Sequence, residues 1–329
     1  MYLMLATTVM WFHPDPGEAL NLAVRFCAVG QLIGLVELFL VRGQLVPGGF
    51  LDWTMIGILS PHTRTRLGSL ARQLFRRLSV RAILTLAVID TLVVGALLVW
   101  PSSVALIAAA VIMQIALIKR NHLTIDGSDQ MMFVVLLTCL LGRLGGGPFT
   151  ARAAVSFLAA ELTLSYLVAG LFKATSKYWQ SGGAFVMLVQ TRMYGLPLAA
   201  RAVRRHPMVG NVADYTVLAW ESLFFLAVGA PFPVAVAILA VGASFHAGCG
   251  IIMGLNRFLW AFVASYPALL CTNAWARSLI GGHSSDLITL ALAVPSVISL
   301  IVAHRATAET SPTLPRPVVA SEASHVSAA

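Results

Sequence analysis

The chain has 329 residues, of which 58% are hydrophobic and only 11% charged, with a mean hydropathy of +0.85. A soluble domain carries about 25% charged residues, so this composition excludes a water-soluble globule and calls for lipid as solvent. The formal charge of +9 sits in short stretches between apolar runs. That pattern reads as the positive-inside bias and contact with anionic head groups, with no nucleic acid as partner.

About 20 apolar residues cross the hydrocarbon as a helix, and irregular backbone cannot face lipid. In chain order the runs that qualify are 18–41, 82–100, 103–118, 130–144, 153–173, 212–228, 233–253, 258–271 and 287–304. The stretch 51–59 dips in or lies at the interface. The expected fold is therefore all-α, a polytopic transmembrane bundle of seven to nine helices. One domain covers residues 1–303, and a disordered tail rich in Ala, Ser, Thr, Pro and Val covers 304–329.

Punctuation supports these boundaries. Trp100-Pro101-Ser102-Ser103 and Ala230-Pro231-Phe232-Pro233 read as tight hairpins, and Gly145-Gly146-Gly147-Pro148 as a flexible break. The N-terminus has no Lys or Arg ahead of its apolar residues, so it lacks the start of a cleaved signal peptide. Cys27, Cys139, Cys249 and Cys271 form no CxxC and read as buried free thiols without a metal framework. Arginines cluster in 62–81 and 192–205, and Lys119, Arg120 and Arg257 fall on the same side of a nine-helix bundle. Positive-inside then places the N-terminus outside and Lys173, His122 and Arg257 at the cytoplasmic face. The setting is an integral, multi-pass protein of a bacterial cytoplasmic membrane.

Ionisable residues inside membrane helices are costly and mark candidate sites. Lys173 closes the apolar run SYLVAGLFK. A desolvated amine is a usable general base; the competing reading is a lysine that snorkels to the head groups, as Lys177 does one turn on. Tyr166, Gly170 and Lys173 share a helix face, and small residues there leave space for a neighbouring helix or a ligand. His246 sits on a face with Gly242, Gly250 and Gly254, either as an interhelical hydrogen-bond partner or as a proton-handling group. His122 lies in KRNHLTIDGSDQ, whose Asp126 and Asp129 have a helix cap to form. Glu221, in LAWESLFF, has the chemistry to hold a lysine or histidine in place. Glu37, Asp90 and Glu161 read as partners for buried polar groups or for Arg25. Glu161 is about 18 Å along the helix from Lys173, too far to pair with it.

The order of these motifs carries a resemblance. Asn121-His122 is followed by DGSDQMM, YLVAGLFK, a tryptophan, Gly182-Gly183, Glu221 and FHAGCGIIMGLNRFLWAFVASYPALL. This order resembles the vitamin K-dependent γ-glutamyl carboxylases and their bacterial HTTM-domain relatives over residues 82–270. The resemblance implies that Lys173 deprotonates a reduced quinone (vitamin K or menaquinone hydroquinone), with His122 and His246 in the active site. Tyr166, Gly170 and Glu221 would lie against the cofactor. Oxygen and carbon dioxide would be co-substrates, and a peptide or small molecule the acceptor, in a dry site. One HTTM branch instead serves maturation of a secreted peptide toxin of the sporulation-delaying type. A maturation or export partner, or a non-catalytic membrane scaffold, is thus the alternative expectation.

Overall fold

The computed structural model describes residues 14–59, 66–120, 125–191 and 194–280, and every regular element among them is a helix. Helix α1 (Pro16–Leu40) leads into the short α2 (Trp53–Leu59) and α3 (Arg66–Arg77). Helices α4 (Val80–Val99), α5 (Val104–Arg120), α6 (Gly127–Leu144) and α7 (Gly147–Thr175) then run as consecutive antiparallel hairpins. Three short helices follow: α8 (Lys177–Gln180), α9 (Ala184–Val189) and α10 (Pro197–Arg205). The chain continues with α11 (Pro207–Leu223), a 3-10 turn (Phe224–Val228), α12 (Phe232–Met253), α13 (Phe258–Val263) and α14 (Tyr266–Ile280).

Five of these helices, α1, α4, α6, α7 and α12, are long and apolar enough to cross a membrane. The chain is on that ground a membrane protein. The other expected spans differ in detail. Helices α5 and α11 have 17 residues each. The run 258–271 is divided at Ala264-Ser265 into α13 and α14. The run 287–304 and the tail lie outside the described residues. Apolar side chains such as Leu92, Ile112, Leu141 and Phe172 point outward and are exposed, which suits lipid as solvent and would be costly in water.

Local chemistry sets the helix ends. Asp15 accepts a hydrogen bond from the Glu18 amide (2.9 Å) and Pro16 opens α1. At α6, Asp126 accepts from the amides of Ser128 (2.8 Å) and Asp129 (3.3 Å), while the Asp129 carboxylate accepts from the Asp126 amide (3.3 Å). This is a capping box. The glycine triplet is a tight turn rather than the flexible break expected. Gly146 and Gly147 take φ values of 63° and 84°, and α7 starts at once.

Small residues bring the helices together. Ala19, Ala23 and Cys27 on α1 are fully buried, and a Cβ on Gly142 would lie 2.7 Å from the Ala154 Cβ. Asn273 on α14 donates to the carbonyls of Ala227 (2.9 Å), Val228 (3.1 Å) and Ala230 (2.9 Å), closing the 3-10 turn before α12. Cys27 and Cys139 are buried, Cys249 and Cys271 half-buried, and all four are free thiols. The arginine-rich stretches contain α3 and α10, which the sequence reading treats as loops. On α10 the small Ala200 and Val203 are buried while Arg201, Arg204 and Arg205 are exposed. The ends of α1, α5, α7 and α12 and the starts of α4, α6, α11 and α13 share one end of the bundle. That end holds Lys173 and Arg257.

Candidate functional site

The last two turns of α7 cross α11, and the crossing is close because Gly170 has no side chain. A Cβ there would lie 2.6 Å from the Ser222 amide nitrogen and 2.9 Å from its Cα. The space beside Gly170 is thus filled by a neighbouring helix, not by a ligand. This approach carries Glu221 to Lys173: Nζ donates to Oε2 at 2.5 Å. The Glu221 side chain is 4% exposed and that of Lys173 is 21% exposed. The pair therefore faces outward on its lysine side only. The Trp179 ring lies 5.2 Å from Nζ, a cation–π distance. Lys177 is exposed, as expected of a snorkelling lysine.

Two turns back on α7, Tyr166 is buried in an aromatic cluster. Its hydroxyl shares hydrogen bonds with His246 Nε2 (2.7 Å) and Tyr266 OH (3.3 Å). Its ring packs on Trp220 (4.7 Å), Phe224 (4.2 Å) and Phe262 (5.5 Å). His246, 2% exposed, stacks on Phe262 with centroids 4.3 Å apart and planes 19° off parallel. The glycine face of α12 makes this possible. A Cβ on Gly242 would clash with Tyr266 OH and lie 2.6 Å from Trp220 Cζ2. His246 Nδ1 is buried and has no hydrogen-bond partner among the described residues. Trp220 and Glu221 are adjacent, so one stretch of α11 packs Tyr166 and holds Lys173.

The structure therefore brings Lys173, Glu221, Tyr166, His246 and Gly170 to one helix crossing. His122 lies outside the described residues. Tyr266 and Phe262 join this group without having been expected there; the aromatic spacing in FLWAFVASYPALL was the available signal. Of the remaining acids, Glu37 has polar partners, Asp90 has none among the described residues, and neither pairs with Arg25. Arg25 donates to the Leu98 carbonyl (3.1 Å) and not to an acid. Glu37 accepts from Asn256 Nδ2 (2.9 Å) and lies 3.7 Å from Arg257 Nε. Asp90, 2% exposed, has an Oδ1 with no partner among the described residues.

Arg257, read from sequence only as a basic-face residue, clamps three elements. Its guanidinium meets Asp129 at 2.5 Å and Asp126 at 3.4 Å, and reaches Glu37 on α1. Burial works against the charge, but Asp129, Asp126 and Glu37 outweigh it and hold the guanidinium above its usual value. Gly34 makes room, since a Cβ there would lie 3.0 Å from Arg257 Cδ.

No family model matches this chain, and no curated protein or solved structure does either. The HTTM resemblance stands on the quoted residues alone. Among the described residues no group of three or more His, Cys, Asp and Glu side chains is placed to hold a metal.

Proposed function

We propose that the α7–α11–α12 crossing is the proton-handling site of an HTTM-type intramembrane enzyme acting with a reduced quinone on a peptide or small substrate. The observation that carries this reading is the 2.5 Å contact of Lys173 and Glu221 beside a buried histidine whose Nδ1 has no partner among the described residues. The donor set fits such a group: an amine base, an imidazole without a full complement of partners, and aromatic walls.

To act as a base, Lys173 must first give up a proton, and Glu221 Oε2 is the acceptor within reach. Lys173 then takes the quinol O–H proton at Nζ. Glu221 fixes the amine in one position, and Trp179 covers it. Tyr166 OH and His246 Nε2 share a second hydrogen bond in which either atom can hold the proton, which positions the imidazole behind the Lys173–Glu221 pair. The aromatic cluster excludes water, which a strongly basic reaction requires. A bound quinol would supply, with oxygen, the strong base that carboxylation of a glutamyl γ-carbon by carbon dioxide requires.

The test is epoxide formation by purified protein in lipid, given reduced menaquinone or vitamin K, oxygen, bicarbonate and a short glutamyl peptide. Epoxide from the native chain that is lost in Lys173→Ala supports the reading. No epoxide from folded protein overturns it in favour of a maturation partner or scaffold, in which the same pairs serve as interhelical glue.

A further inference from the structure

A cavity of about 300 Å³ lies between α1, α4, α5 and α6, away from the Lys173 crossing. It is at the lower end of the range for small-molecule pockets, about 300–1,000 Å³. Its polar lining is Gln31, Glu37, Asp90, Gln114, Asp129 and Arg257, and its apolar wall includes Leu35, Leu38, Leu117 and Met132. It runs inward from the end of the bundle that holds Arg257. Asp90 lies ten residues into α4, about 15 Å by helical rise, close to the middle of a hydrocarbon layer of about 30 Å.

The amide orientations in this cavity are fixed from one end. The Asp129 carbonyl only accepts, so Gln114 turns its Nε2 to it, at 3.0 Å. Gln114 Oε1 then faces α1 and accepts from Gln31 Nε2. Gln31 Oε1 is left over, buried and without a partner among the described residues. Asp90 Oδ1 is in the same condition, and Asp90 has neither an ion pair nor a hydrogen bond among the described residues. Both side chains are more than nine-tenths buried.

Two buried acceptors without donors are costly unless something supplies the hydrogens. The charge of the lining says what. Glu37, Asp90 and Asp129 stand against one cation, Arg257, and that cation is already engaged by Asp129, Asp126 and Glu37. An anion would meet this surplus of carboxylates. A neutral alcohol would satisfy an acceptor and leave the Asp90 charge uncompensated. We propose that this cavity binds an organic cation, a protonated primary or secondary amine with an apolar body, whose N–H groups are directed at Asp90 and Gln31. Charge-assisted hydrogen bonds of this kind are about twice as strong as neutral ones. The inference is independent of the reading given to Lys173.

The test uses the full chain in phosphatidylcholine nanodiscs and measures calorimetric binding of hexylammonium, hexanol, hexanoate and hexyltrimethylammonium. Hexylammonium binds saturably at one site per chain, and the other three bind at least roughly tenfold more weakly, a difference of about 1.4 kcal/mol. Asp90→Asn and Gln31→Leu each weaken hexylammonium by a similar factor; Gln31→Leu carries the comparison if Asp90→Asn does not fold. Nanodiscs containing phosphatidylethanolamine form a further arm. Loss of hexylammonium binding there, by competition, assigns the same ammonium chemistry to a lipid head group as well. Equal binding of hexanol and hexylammonium, or hexylammonium affinity unchanged in the variants, overturns the proposal and leaves a cavity filled by water.

Discussion

Lys173 Nζ and Glu221 Oε2 lie 2.5 Å apart across a helix contact that Gly170 keeps close. Breaking a buried pair by removing one partner costs about 3–5 kcal/mol. The partly exposed lysine reduces that cost when Glu221 is the residue removed. Lys173→Met leaves a 4% exposed carboxylate without its cation and is expected to destabilise more than Glu221→Gln. The double variant Lys173→Met/Glu221→Gln recovers most of the loss. Denaturant unfolding of the four proteins in detergent gives the coupling energy, and a coupling near zero would show that the pair is not formed.

Gly170→Ala would place a methyl group 2.6 Å from a backbone nitrogen. Overpacking of this kind costs about 1–3 kcal/mol. Ser222→Gly removes the Oγ contact but not those to the Ser222 N and Cα, so it does not rescue Gly170→Ala. Full rescue in a thermal melt would contradict the geometry described for this crossing.

Tyr166→Phe deletes the hydroxyl that reaches His246 Nε2, and leaves both ring nitrogens of a buried imidazole unsatisfied. The expected loss is about 1–3 kcal/mol. Adding His246→Phe returns part of it, because the orphaned polar group is gone. If the second change only deepens the loss, the hydrogen bond is not what the tyrosine contributes.

Arg257→Met removes the cation shared by Asp126, Asp129 and Glu37. Loss of about 3–5 kcal/mol is expected, with increased amide exchange at the start of α6, where the capping box loses its brace. Arg257→Lys restores only part, because an ammonium cannot serve two carboxylates through a planar fork. Hydrogen exchange at residues 126–130 reports this directly, and equal protection in Arg257→Met and the native chain would sink it.

Asp52 lies in the connection before α2. Its carboxylate accepts from Thr54 Oγ1 (2.6 Å), the Gly48 amide (3.0 Å) and the Thr54 amide (3.2 Å), and these bonds hold it below its usual value. A depressed folded-state value means the contribution is present above the unfolded value of about 3.9 and is lost as pH falls through the folded one. Amide exchange over residues 48–54 should thus rise below about pH 4. In Asp52→Asn the acid dependence of that exchange should disappear; its survival would assign the effect to another group.

Much of the architecture was legible in local chemistry. A run such as 233–253 needs only its own hydropathy to become a helix in lipid, and Asp126-Gly127-Ser128-Asp129 needs only its own side chains to form a cap. The polar residues of the site were also visible, because an ionisable group in an apolar run is conspicuous wherever it falls. Glu221 was legible as a holder of a lysine or histidine, but which partner each polar residue meets was not. Glu37 was expected to partner a buried polar group or Arg25, without a named choice; it meets Arg257 and Asn256, the latter 219 residues away. Lys173 and Glu221 are 48 residues apart, and Tyr166 and His246 are 80 apart. Those pairs exist because Gly170 and Gly242 let helices approach closely enough for short polar contacts, and helix-to-helix distance is written in no single segment. The same holds for Asp90 and Gln31. Each is an ordinary polar residue in its own helix, and only the packing of α1, α4, α5 and α6 turns their unpaired oxygens toward one cavity.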